Sequence, residues 1–236
     1  MRRIERPSPN HDARKDGVRP SILLMHYTGM RSAEEAISRL TDAAARVSAH
    51  YTIDEDGTVY AHVPEARRAW HAGVSHWAGE SDINGISIGV EIVNPGHEFG
   101  YRAFPDAQIA AVIALSKGII ARHAIPAHRV IGHSDVAPAR KVDPGELFPW
   151  AHLAGEGVGL WPTLVPPMQA PAGARDHIAA ALQRFGYGVP PGVAVPLETV
   201  VSAFQRHFRP RHIDGVMDGE SWAILQALLQ LMGERT

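Results

Sequence analysis

The chain of 236 residues contains no cysteine, which excludes disulfides, thiolate metal ligands and a thiol nucleophile. It also lacks any apolar run near the ~20 residues that a membrane-spanning helix needs, so no transmembrane segment is expected. An excess of charge of either sign is missing too. The formal net charge is −2, which gives nucleic acid and anionic membrane surfaces no electrostatic purchase. The start, Met1-Arg2-Arg3-Ile4-Glu5-Arg6, is basic but has no apolar stretch behind it, so it does not read as a secretory leader. The compartment expected from this is the cytoplasm, with the periplasm as the alternative if a leader has been removed. Absence of cysteine fits either. What the chain does have is histidine: 14 residues, so many that a histidine alone says little about function.

Apolar content of 45% and charged content of 20% suit an ordinary globular protein, and the length allows one medium domain and one small one. Residues 1–20 read as an irregular arm rich in Arg, Pro and Asn. Ile22-Leu23-Leu24-Met25 reads as a short buried strand that ends on His26. Ser32-Ala33-Glu34-Glu35 is a capping box opening a helix through about Leu40. Residues 47–53 and 58–63 are strand-like, and Asp54-Glu55-Asp56-Gly57 between them makes a hairpin. Residues 67–79 form a loop holding Trp70, His71, His76 and Trp77, a composition that suits the lip of a groove or a loop packed down by its own aromatics. In 86–93, alternation sets Ile86, Ile88, Val90 and Ile92 against Ser87, Gly89, Glu91 and Val93. A long helix starts at Pro105-Asp106 and stops before Pro126, and a strand over 129–132 delivers His133. Interleaved strands and helices predict an α/β fold, a mixed central β-sheet flanked by helices. Proline-rich 159–174 reads as a linker and 175–236 as a small three-helix domain with apolar faces at Leu182 and Phe185, Val201 and Phe204, Trp222 and Leu225. The expected division is an arm over 1–20, a catalytic domain over 21–158, a linker over 159–174 and the helical domain over 175–236.

The chemistry gathers around Gly132-His133-Ser134-Asp135 and the loop that follows it to Asp143. Imidazole and carboxylate both suit a divalent zinc ion. His26, His133 and Asp143 are the candidate ligands, and three protein ligands leave a position open for water, as catalytic zinc requires. Glu91 is a carboxylate in a strand whose neighbours are core residues, which is costly unless it is paired or functional; such a group can act as both general base and general acid. Lys141, two residues before Asp143, could stabilise an oxyanion. Taken singly, each residue also has an ordinary explanation. His26 could be a satisfied core histidine, Asp143-Pro144-Gly145 a turn, and Lys141 a solvated charge.

The residues are linked by a resemblance. His26-Tyr27-Thr28, Ser48-Ala49-His50-Tyr51-Thr52-Ile53, Gly89-Val90-Glu91-Ile92 and the run from Gly132 to Gly145 occur together and in order. The set resembles the zinc-dependent N-acetylmuramoyl-L-alanine amidases, the type 2 amidase family related to phage amidase lysozymes and peptidoglycan recognition proteins. It covers roughly residues 20 to 155. The resemblance implies a Zn2+ cofactor held by His26, His133 and Asp143, a catalytic Glu91 assisted by Lys141, a tyrosine near the metal at Tyr51, and a groove wall at Trp70 and His71. It implies hydrolysis of the amide between N-acetylmuramic acid and L-alanine of the stem peptide, in cell-wall turnover or muropeptide recycling, with peptidoglycan or a muropeptide as partner. Asp143 stands where phage relatives carry cysteine, which places the chain nearer the bacterial recycling and periplasmic amidases. The tail, with Ala181-Leu182-Gln183-Arg184-Phe185-Gly186-Tyr187 and Asp214-Gly215-Val216-Met217-Asp218, resembles a three-helix peptidoglycan-binding module. A non-catalytic peptidoglycan-recognition protein on the same fold is the alternative, and it would lack a ligand or the base. A zinc peptidase cutting within the stem peptide would share the metal logic and release different products.

Overall fold

The computed structural model describes residues 2–163, 166–170, 175–189 and 192–233. Eight strands are described: β1 (Arg3–Glu5), β2 (His11–Ala13), β3 (Ile22–Tyr27), β4 (Tyr51–Ile53), β5 (Val59–Ala61), β6 (Arg67–Ala69), β7 (Ser87–Ile92) and β8 (Val130–Gly132). The α-helices among the described residues are α1 (Ala33–Thr41), α2 (Ile83–Ile86), α3 (Gly96–Phe99), α4 (Asp106–His123), α5 (His133–Val136), α6 (Trp150–Gly155), α7 (Arg175–Phe185), α8 (Leu197–Phe208) and α9 (Gly219–Gly233). None is long and apolar enough to cross a membrane.

Six strands form one mixed sheet in the order β1-β5-β4-β7-β3-β8. The strands β4, β7, β3 and the edge strand β8 run parallel, while β5 is antiparallel to β4. The first five residues of β3 are buried, as an unbroken apolar run in a parallel strand covered on both faces requires. Strand parity then sorts the core. Leu23, Met25, Tyr51, Ile88, Val90 and Ile92 share one cluster with Ile109, Val112 and Ile119 of α4. Ile22, Leu24 and Ile131 turn to the opposite face and share a cluster with Leu182, Phe185, Val201, Phe204 and Leu225 of the C-terminal helices. The helices therefore flank the sheet on both sides, and the apolar faces of α7, α8 and α9 are continuous with the sheet's own core.

Several local signals act as their chemistry dictates. Ser32 caps α1, its hydroxyl accepting from Glu35 N at 3.1 Å. The Glu35 carboxylate accepts from Arg31 N at 3.1 Å, one residue before the cap. Asp54 to Thr58 closes the hairpin between β4 and β5. α4 ends at His123, with Ala124 in the left-handed region and Pro126 beyond.

The arm is not irregular. β1 adds a parallel edge beside β5, and β2 pairs antiparallel with β6 inside the stretch expected as loop. Arg14 then enters the interior, donating to the carbonyls of Gly85 at 2.7 Å and Ser87 at 2.8 Å. Of the expected linker, residues 164–165 and 171–174 lie outside the described residues.

Candidate metal centre

Three neighbouring strands deliver the site at their carboxyl ends, where ligands meet open α/β sheets. His26 and Glu91 are register partners in β3 and β7 and so face the same way. Met25 pairs with Gly132 of β8, so His133, one residue on, stands beside His26. It opens α5, which is capped by the Asp135 carboxylate accepting from Gly132 N at 2.7 Å. The following loop is closed by Ser134 N donating to Asp143 O at 2.9 Å, which returns Asp143 to the side of His133.

The three side chains converge. His26 Nδ1 lies 2.9 Å from His133 Nδ1 and 3.1 Å from Asp143 Oδ2, and His133 Nδ1 lies 3.0 Å from the same oxygen. All three residues are buried, and they form the one group able to hold a metal ion among the described residues. Ligand atoms held at about 2.0–2.1 Å around a tetrahedral ion sit roughly 3.3 Å apart, so the observed spacing needs to open by only a few tenths of an ångström. The electrostatics agree. Burial, with the adjacent His133, holds the His26 imidazole down at about 4, so it is a neutral donor at neutral pH. Burial alone would raise the Asp143 carboxyl, but the adjacent His133 and His26 reverse this and hold it well below the carboxylate range. Two imidazoles and one carboxylate are a donor set for a divalent cation, and zinc fits it.

The cluster floors a cleft of about 410 Å³ that Glu91, Arg140 and Lys141 also line. Glu91 is partly exposed to the cleft, but its Oε2 is buried and has no hydrogen-bond partner. Burial pushes its carboxyl well above the ordinary range, Asp143 adds to this, and Lys141 opposes it. An unpartnered carboxyl with a raised pKa is suited to take and return a proton. Lys141 makes no ion pair among the described residues, and its charge acts on both Glu91 and His26.

A family model described as N-acetylmuramoyl-L-alanine amidase matches residues 16–146. The chain belongs to this amidase family. Among curated relatives it is 38% identical to the N-acetylmuramoyl-L-alanine amidase AmiD of Escherichia coli over 92% of this chain and 84% of that protein. It is 36% identical to the 1,6-anhydro-N-acetylmuramyl-L-alanine amidase AmpD of Citrobacter freundii, over 62% of this chain and 86% of that protein. Among solved structures, the complex of AmiD from E. coli with the substrate anhydro-N-acetylmuramic acid-L-Ala-D-γ-Glu-L-Lys superposes with a TM-score of 0.81 at 36% identity, covering 93% of each chain. The crystal structure of AmpDh3 from Pseudomonas aeruginosa gives 0.81 at 33% identity, covering 92% of this chain and 94% of that one. The AmiD and AmpDh3 likenesses thus take in more than nine-tenths of the chain, and the AmpD likeness 62% of it.

The residues expected to meet the substrate fare differently. Tyr51 is not near the metal ligands. It pairs with Val90, one residue out of phase with Glu91, so it points to the opposite face of the sheet, where its hydroxyl donates to Glu65 Oε1 at 2.8 Å. His71 borders the cleft but is 7% exposed and lies behind His26, its Nδ1 3.0 Å from His26 Nε2. Gly89 makes room for it: a Cβ there would lie 2.6 Å from the His71 ring. Trp70 is partly exposed and is fixed through its backbone to Ser48, next to Val47 of the cleft wall. Arg140, given no role in the sequence reading, donates through Nη2 to the carbonyls of Ala72 at 2.6 Å and Val74 at 2.8 Å. Its place beside Lys141 in a loop expected to meet a metal was the available signal.

Proposed function

We propose that the protein is a zinc-dependent hydrolase of the amide between N-acetylmuramic acid, including its anhydro form, and L-alanine of the stem peptide. The observation that carries this reading is an unpartnered Glu91 carboxyl in the cleft that the converging His26, His133 and Asp143 floor. Relatives over most of the chain are named as amidases for this bond, and one was solved with an anhydro-muramyl tripeptide. Zinc held by the three residues would polarise the scissile carbonyl and acidify water. Glu91 takes a proton from the attacking water and returns it to the alanine nitrogen as the amide breaks. The Lys141 ammonium stabilises the negative charge that grows on the carbonyl oxygen. Trp70, next in the chain to His71 of the cleft lining, is assigned to contact substrate. The amidase unit spans 21–158, and residues after the 159–174 segment form a peptidoglycan-binding-like module; the family match to residues 16–146 supports the first part of this division.

The test uses the full chain and anhydro-muropeptide, with products identified by mass spectrometry. Release of the intact stem peptide is expected. Glu91→Gln should retain zinc and lose at least about 10²-fold in turnover, the usual worth of a positioned acid–base group. Near-normal turnover, or cleavage inside the peptide, would refute the assignment.

A further inference from the structure

Both ligand imidazoles present Nδ1 to the centre, and both of their outer nitrogens meet one two-residue segment, His71–Ala72. His26 Nε2 lies 3.0 Å from His71 Nδ1, and His133 Nε2 lies 3.0 Å from Ala72 O. The proton positions follow from the partners. Ser87 Oγ donates to Ile83 O at 2.6 Å, so toward His71 Nε2, at 3.2 Å, it is the acceptor. His71 therefore carries its proton on Nε2 and offers Nδ1 as a lone pair to His26 Nε2–H. Ala72 O can only accept, so His133 is likewise protonated on Nε2. Each ligand is left with a bare Nδ1 lone pair aimed at the third donor, Asp143. The second nitrogen of a histidine decides which one faces a metal.

The segment lies outside regular secondary structure, and one side chain holds both of its backbone N–H groups, while Arg140 holds the Ala72 carbonyl. Asn84 Oδ1 accepts from both His71 N at 3.0 Å and Ala72 N at 2.8 Å. Asn84 is buried at 9% exposure, and its own carbonyl accepts from Arg14 at 3.2 Å. We infer that Asn84 is the positioning residue of the metal centre: through one oxygen it holds the acceptors that set the tautomer and ring orientation of both histidine ligands. Asn84 touches neither ligand. The inference rests on the zinc reading above but not on the identity of the substrate.

The experiment measures zinc affinity of the full-length protein by chelator competition, together with the visible spectrum of the cobalt-substituted protein. Asn84→Ala should fold as judged by circular dichroism, lose about 10- to 100-fold in affinity, as loss of an outer partner does, and shift the cobalt bands. Asn84→Asp keeps an acceptor for both N–H groups and should restore most of the affinity. His71→Leu removes the His26 partner alone and should weaken binding too. A folded Asn84→Ala with wild-type affinity and an unchanged spectrum would overturn the inference. So would wild-type affinity in His71→Leu if Asn84→Ala fails to fold. Failure of the wild-type protein to bind zinc would overturn the metal reading as well, whereas failure to cleave muropeptide with zinc bound would leave this inference standing.

Discussion

Two buried polar clusters are built on the same short helix, α5, and they differ in one respect that decides what each is for. His133 joins His26 and Asp143, where three acceptor atoms lie within 3.1 Å of one another and point inward. Two residues on, Asp135 is fully buried and saturated: Oδ1 accepts from Tyr187 OH at 2.6 Å, and Oδ2 lies 2.7 Å from both Gly132 N and His207 Nδ1. Burial, with the Asp135 charge beside it, pushes the Tyr187 phenol up, so it stays a donor. The His207 ring stacks between Trp150 and Phe208, with centroids 3.9 Å and 3.8 Å away. A buried carboxylate is thus not by itself a mark of chemistry. Acceptors that converge on one point need a cation, whereas acceptors that each meet a donor hold a structure together. Here the second kind fastens the loop bearing a candidate ligand to the C-terminal helices.

The comparison can be broken most decisively at its metal side. His133→Ala should cost at least about 10³-fold in zinc affinity, beyond the roughly 10–100-fold of outer partners; equilibrium dialysis against chelator would measure this, and a loss under tenfold would remove His133 from the ligand set. On the structural side, Asp135→Ala leaves three donors without an acceptor. At ~1–3 kcal/mol each, the metal-free protein should lose about 3 kcal/mol or more in urea unfolding. A change below ~1 kcal/mol would mean the junction holds nothing.

A subtler effect sharpens the contrast between a strained carboxyl and a satisfied one. The folded protein holds the Glu91 proton more tightly than the unfolded chain does. The metal-free fold therefore loses stability as pH rises from the ordinary carboxylate range towards the raised value. Glu91→Gln should make the metal-free protein more stable at pH 7 and leave it unchanged at pH 3, where both states are protonated. An equal gain at both values would assign the effect to packing instead. The smallest effect is expected at Tyr51→Phe. Loss of its bond to Glu65 should cost about 1 kcal/mol, and turnover should stay within about twofold, because the hydroxyl is on the face of the sheet away from Glu91.

The centre was legible where strand chemistry and a long motif coincide. Apolar runs that end in His26 and His133 signal buried parallel strands, and neighbouring strands bring their ends together. Glu91 stood out as a carboxylate among core residues. Tyr51 was misplaced although parity held the answer, since in a strand through Tyr51 and Ile53 the tyrosine shares its face with the core, not with Thr52 and Glu91. β1 and β2 were hidden because three residues carry no alternation to read, and their partners lie more than fifty residues away. Asn84 left no trace in the sequence. Its importance lies in the direction of one oxygen, and only the fold brings the loop to it.

Everything chemical in this account depends on one ion bound by His26, His133 and Asp143. Anomalous diffraction at the zinc edge from crystals of the full-length protein tests that directly. The account predicts a single strong peak about 2.0–2.2 Å from His26 Nδ1, His133 Nδ1 and an Asp143 carboxylate oxygen, with Glu91 outside bonding distance. A peak elsewhere, or none in zinc-supplied crystals, would contradict it.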